Sequence, residues 1–177
     1  MEEKKEERKE KKKKFRYKFL VRFLLKILFL CGFIYVLLTW VISIHRFDGN
    51  YMFPSIRDGD LCIFYKLDDY HLDDVILYEN ENGQKKVGRV LAVGGQEVDF
   101  PEEGGIKVNG YAPTETITYQ TFISSNSTIE FPLKLNDNEI FIMNDFRNDT
   151  SDGREIGALD KAQLDGKLIF VLRWRGF

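Results

Sequence analysis

Residues 49–55 read GNYMFPS, with a tyrosine, Tyr51, set directly before Met52-Phe53-Pro54. The heptapeptide stands at a junction. An uncharged run ends at Ile44, five residues before it begins, and a strand-like segment starts at Leu61, six residues after it ends.

The run before the junction, ILFLCGFIYVLLTWVISI from Ile27 to Ile44, carries no charge over 18 residues. At 1.5 Å per residue it makes about 27 Å of helix, close to the roughly 30 Å of a hydrocarbon core once Arg22 and Lys26 reach for the interface. Up to Lys26 the chain has 12 basic and 5 acidic side chains. By the positive-inside rule this puts the amino terminus in the cytoplasm and the body outside the cell membrane. The apolar core of a cleavable signal peptide is about 7–15 residues and ends in small residues, whereas this run is longer and ends in SIHRFDG, so an uncleaved anchor is expected. The expected organisation is a basic, solvated and partly disordered tail over residues 1–18, a transmembrane anchor over 19–45 and an extracytoplasmic domain over 46–177.

From His45 onward the chain has 14 basic against 23 acidic side chains, an acidic balance that argues against a nucleic-acid partner. Apolar and β-branched residues gather at 61–67, 74–79, 87–93, 139–144 and 167–174, and helical spacing is not sustained after the anchor. Asp58-Gly59-Asp60, Glu81-Asn82-Gly83, Glu103-Gly104-Gly105 and Asn109-Gly110 mark turns. The stretch 117–128 is polar enough for a surface hairpin or loop. A mainly β domain behind one amino-terminal helix follows. Cys31 and Cys62 stand in no ligand spacing, so neither a metal nor another cofactor is expected.

Five short motifs, in order, resemble the bacterial type I signal peptidases, membrane-bound serine proteases that cut secretory signal peptides. Tyr51-Met52-Phe53-Pro54-Ser55 is similar to the family's nucleophile loop S-M-x-P-T, and Gly59-Asp60-Leu61-Cys62-Ile63-Phe64 to its G-D-x-V-x-V strand. The stretch from Gly88-Arg89-Val90 to Gly94-Gly95-Gln96 is similar to its general-base segment K-R-V-x-G-L-P-G-D. Val108-Asn109-Gly110 resembles its V-N-G turn, and Asn144-Asp145-Phe146-Arg147 through Ser151-Asp152-Gly153-Arg154 resembles its G-D-N-R-x-x-S-x-D-S-R run. The resemblance implies a signal-peptidase-like β domain. Met52, Pro54 and Arg89 fix the registers, so Tyr51 falls on the nucleophile position and Gly88 on the general-base position.

The resemblance implies a serine hydroxyl that attacks the peptide carbonyl and a buried neutral lysine that takes the proton. Such a base must lie about 2.6–3.2 Å from its nucleophile. Glycine offers no side chain, and the phenol of tyrosine has an ordinary pKa near 10 and reaches well past a serine's hydroxyl. Lys86, two residues before Gly88, and Ser55 are the candidates for a relocated pair. Loss of peptidase activity is the expectation, and an active peptidase with such a relocated pair is the alternative. Asn50, Tyr51, Met52, Phe53, Pro54 and Arg89 are expected to line a binding cleft. Asp145, Arg147, Asp152 and Arg154 are expected to form ion pairs that brace its floor. This combination resembles the noncatalytic signal-peptidase-like proteins that accompany pilin and sortase genes in streptococci and related Gram-positive bacteria. It implies an accessory, chaperone-like role in pilus assembly, with a pilin subunit, its sortase, or both as partners at the outer membrane face. A degenerate homologue with a blocked groove is a third reading.

Overall fold

The computed structural model describes residues 2–101, 104–114, 119–123 and 127–173, with side chains from residue 16 onward. The chain divides into two units, Met1–Trp40 and Val41–Phe177. The first is helical: α1 runs from Glu2 to Val36 and widens into a π-helical turn, Leu37–Val41. The tail expected to be partly disordered is therefore helical from Glu2, in keeping with its content of Glu and Lys, both good helix formers. Arg16–Val41 is long and apolar enough to cross a membrane, about 39 Å at 1.5 Å per residue, a test that a signal sequence also passes. Phe19, Phe23, Phe29, Tyr35 and Trp40 are all more than half exposed, and a helix that is apolar all round needs a nonaqueous environment.

The anchor was expected to continue to residue 45, but the helical part stops at Val41, and Ile42–Arg46 form the first strand, β1. The difference has a local cause. Ile42, Ser43 and Ile44 pair with Tyr65, Phe64 and Ile63, and strand pairing satisfies the backbone of a β-branched stretch that crowds a helix. Ser43, uncharged and thus silent in the hydropathy of the run, is buried.

The second unit is built from antiparallel strands. β2 is Leu61–Tyr65, β3 Val75–Glu79, β4 Lys85–Val93, β5 Glu97–Asp99, β6 Lys107–Val108, β7 Leu133–Lys134, β8 Glu139–Met143, β9 Leu159–Asp160 and β10 Leu164–Leu172. Among the described residues they form a seven-stranded sheet, order β1-β2-β10-β3-β4-β8-β9, and a three-stranded sheet, order β6-β5-β7. β3 lies between β10 and β4, and its residues Val75 to Tyr78 are all buried, which is why it reads as an unbroken apolar run. In β2, which lies between β1 and β10, burial instead alternates: Cys62 and Phe64 turn into the core while Leu61 is exposed.

The five strands read from sequence are present at nearly the expected bounds, and the turn at Asn109-Gly110 has φ of 52° and 82°. Positive φ at both central residues matches the right-handed twist of a tight hairpin, and Asn and Gly are the residues that adopt it most readily. The described part of the 117–128 stretch contains no strand. Phe47, Met52, Ile56, Cys62, Phe64, Val75, Leu77 and Val87 form one core cluster, and residues 47–56 lie directly on it.

Candidate functional site

The loop that carries the heptapeptide is held from inside and from outside. Inside, Phe47, Met52 and Ile56 are buried, and Ile56 N donates to Met52 O (2.9 Å) while Phe53 N donates to Asn50 O (3.0 Å). Outside, the Asp60 carboxylate accepts from Arg57 N (2.9 Å) and from Arg173 Nη2 (2.6 Å) and Nε (3.0 Å), and Arg173 Nη2 also donates to Ser55 O (3.2 Å). The end of β10 thus clamps the loop.

Tyr51 lies at the centre of this loop. Its ring packs on Phe47, with centroids 4.7 Å apart, and the Lys86 ammonium stands 5.4 Å from the ring centre. Burial pushes the phenol up to about 12, against the opposing pull of a hydrogen bond with the Val87 backbone, and nearby Asp149 and Asp48 raise it further. The phenol is therefore protonated at any physiological pH. Because an unfolded tyrosine ionises near pH 10, the folded state holds its proton longer, and stability contributed by this group falls as pH rises from about 10 to about 12, by roughly 2–3 kcal/mol. Tyr51→Phe is expected to lose less stability over that window than the native chain, a difference measurable by chemical denaturation at pH 9 and pH 11.5.

Gly88 pairs with Ile76 on β3, and a Cβ built on it would stand 2.8 Å from Ile142 Cδ1 and 3.3 Å from Ile142 Cβ. The space beside Gly88 is thus taken by Ile142. Lys86 is on β4 opposite Tyr78, and among the described residues its ammonium makes neither a hydrogen bond nor an ion pair. Ser55 Oγ accepts from Arg89 Nη2 (3.2 Å). Lys86 and Ser55, the two groups offered by the sequence as a relocated pair, are engaged with different partners. Lys85 Nζ does approach a serine, Ser43, at 3.5 Å. It is also ion-paired with Asp165, and an ammonium bonded to a carboxylate has no lone pair with which to accept a proton. Burial would raise the Asp165 carboxyl, but hydrogen bonds from Lys66, Lys85 and Ser43 outweigh it and hold the group below its ordinary value.

The expected cleft residues separate into two groups. Asn50, Phe53 and Pro54 are exposed and Tyr51 is half-buried, whereas Met52 is fully buried in the core and cannot line a cleft. Arg89 is turned to structural use: its Nε and Nη2 donate to the two oxygens of fully buried Asp145, both at 2.7 Å, and its Nη1 donates to Asp73 O at 2.8 Å. With its bond to Ser55, Arg89 ties three separate segments together.

The four charged residues expected to brace the floor are all buried, and among the described residues each of the two carboxylates pairs with an arginine. Asp145 pairs with Arg89, and Asp152 pairs with Arg154. Asp152 also caps α2, Gly153–Ile156, by accepting from Arg154 N (3.0 Å), and its second oxygen accepts from Asn144 N (2.9 Å). Arg147 Nη1 donates to Thr121 Oγ1 (3.2 Å), and its carbonyl accepts from Arg154 Nη1 (2.8 Å). Phe146 N donates to Tyr51 O (2.9 Å), which joins this loop to the heptapeptide.

The sequence model described as "Signal peptidase, peptidase S26" matches residues 20–174. The chain belongs to this signal peptidase family. The match spans both the apolar helix from residue 20 and nearly all of the β unit. Among solved structures, the chain is similar to the crystal structure of a signal peptidase I from Enterococcus faecalis V583. The two share 18% identity, with a TM-score of 0.48 over 59% of this chain and 100% of that one. No curated protein matches the chain. Three members of this signal peptidase site escape sequence reasoning: Arg173, which clamps Asp60, and Thr121 and Phe122, which accept from Arg147 and Arg154. Their partners are distant along the chain, and no periodic or motif signal links them.

Proposed function

We propose that this signal peptidase family member is a membrane-anchored protein without peptidase activity that holds an extended polypeptide at the outer membrane face as an accessory factor in pilus assembly. The observation that carries the reading is Tyr51. At the family's nucleophile position it presents a phenol pushed up to about 12, packed on Phe47 and covered by Lys86. A group that holds its proton so firmly is a poor nucleophile near neutral pH. Gly88, at the base position, supplies no proton acceptor, and Ile142 fills the space beside it. An active peptidase with a relocated serine and lysine is the competing reading, and the contacts of Lys85, Lys86, Ser43 and Ser55 weigh against it.

The loop that would meet a nascent or secreted chain is nevertheless firmly built, by Arg173, Asp60, Arg89 and Asp145. Its outer face offers exposed Phe53 and Pro54. A rigid apolar lip without a working nucleophile suits binding without cleavage. In this reading Arg16–Val41 spans the cell membrane with the amino terminus in the cytoplasm, and the pilin subunit, its sortase, or both are the partners. The test replaces Phe53 with a photo-crosslinking residue in cells that make pili. Crosslinks to a pilin or its sortase, together with loss of pilin polymers when the chain is deleted, are the expected result. Normal pilin polymers in cells that lack the chain would contradict it.

A further inference from the structure

The β unit is acidic, and most of its well-placed cations are taken by carboxylates. Lys66 and Lys85 meet Asp165, Arg89 meets Asp145, Arg154 meets Asp152, Lys167 meets Asp68, and Arg173 meets Asp60. Two cations beside the heptapeptide are different. The Lys86 ammonium lies 5.4 Å from the centre of the Tyr51 ring, and the Arg57 guanidinium lies 5.4 Å from the centre of the Phe53 ring. Among the described residues neither side chain makes a hydrogen bond or an ion pair, and Arg57 Nε is buried without an acceptor.

Stacking on a ring does two things for a cation. It fixes the charge in place at little cost in side-chain freedom, and it leaves N–H groups directed away from the ring for another acceptor. Tyr51 and Phe53 are two residues apart, so the two stacked cations flank one short loop, which also presents exposed Phe53 and Pro54. Apolar contact between two cations that make no ion pair among the described residues suits a segment that mixes apolar and acidic side chains, and charge-assisted bonds to carboxylates are the strong ones.

We infer that the polypeptide held at this site is acidic, and that Lys86 and Arg57 bind its carboxylates. The inference rests on the polypeptide-binding reading above and names the chemistry of its client.

The test uses the full chain in detergent micelles and a phage-displayed library of random dodecapeptides. The native chain is expected to enrich peptides rich in Asp and Glu. A selected peptide is expected to bind about tenfold more weakly when its Glu is changed to Gln, the factor set by one charge-assisted contact. The preference is expected to vanish in a Lys86→Met, Arg57→Met double variant and to persist in Lys86→Arg, with thermal melts verifying that both are folded. Equal enrichment of acidic peptides on native and double-variant chains overturns the inference, because the lysine-rich amino-terminal tail is then the attractant. Enrichment of peptides without acidic bias overturns it while leaving the polypeptide-binding reading intact. Enrichment of no peptide by any of the chains overturns both.

Discussion

Replacing Arg154 by methionine is expected to cost about 3–5 kcal/mol of folding stability, the range for breaking one side of a buried ion pair. Arg154 is fully buried, and each of its five N–H donors is used. Nε and Nη2 meet Asp152 at 2.9 and 2.8 Å, Nη1 meets the carbonyls of Arg147 and Phe122 at 2.8 and 3.0 Å, and Nη2 meets that of Asp149 at 2.7 Å. Methionine fills much of the volume but leaves the buried Asp152 carboxylate without its cation, held among the described residues only by backbone N–H groups of Asn144 and residue 154, and takes the guanidinium from three carbonyls. Adding Asp152→Asn to Arg154→Met removes the stranded charge, so the double variant is expected to be less damaged than the two single costs added together. Denaturant unfolding of the full chain in detergent measures both. A loss below about 1 kcal/mol for Arg154→Met would mean that water replaces these contacts, as it does around exposed ion pairs.

The second large effect is expected at Gly94, where β4 ends. A Cβ there would stand 2.4 Å from Asp137 O and 2.7 Å from Asp137 Cα, so the added methyl would meet main chain, not the yielding end of a side chain. Neither side is free to retreat. Gly95 N donates to Leu135 O (3.1 Å) and Leu135 N to Gln96 O (2.9 Å), which hold the two segments together. Gly94→Ala is expected to cost about 3 kcal/mol, the upper end of overpacking effects. Gly95 is the control: its φ is +82°, yet nothing lies within 4 Å of an added Cβ. Gly95→Ala is expected to cost only about 1–2 kcal/mol of backbone strain. Equal losses at the two positions would show that conformation, not close approach, governs this turn.

Much of the fold was legible because burial and composition agree. β3 sits inside the sheet and is apolar throughout, and β4 runs into a Gly-Gly turn that marks its end. β1 was illegible for the opposite reason. Its apolar residues continue the hydropathy of the preceding helix, and its strand character comes from pairing with β2, which lies fifteen or more residues further on. The small sheet was missed as well, since β5, β6 and β7 have two or three residues each and no periodicity to read.

The site was legible in its landmarks and less so in its directions. Tyr51, Gly88 and Arg89 could be set in register by their neighbours, but a register does not say which way a side chain turns. Met52 looked like an apolar cleft residue and is instead the core pin of the loop. Arg89 looked like part of the cleft and is instead the clasp of buried Asp145. Lys86 could be assigned by strand parity to the face of Gly88, whereas its stacking on Tyr51 depends on a ring supplied by another segment.

The most direct measurement incubates a secretory precursor bearing a signal peptide with the native full chain, and separately with a Tyr51→Ser, Gly88→Lys double variant, in detergent and phospholipid. Removal of the Tyr51 ring opens space, but the new lysine must still turn Ile142 aside, because a Cβ added at position 88 would stand 2.8 Å from the Ile142 Cδ1. No cleavage by the native chain and measurable cleavage by the double variant are expected. Cleavage by the native chain would contradict the proposal, because it would require a nucleophile and a base other than Tyr51 and Gly88.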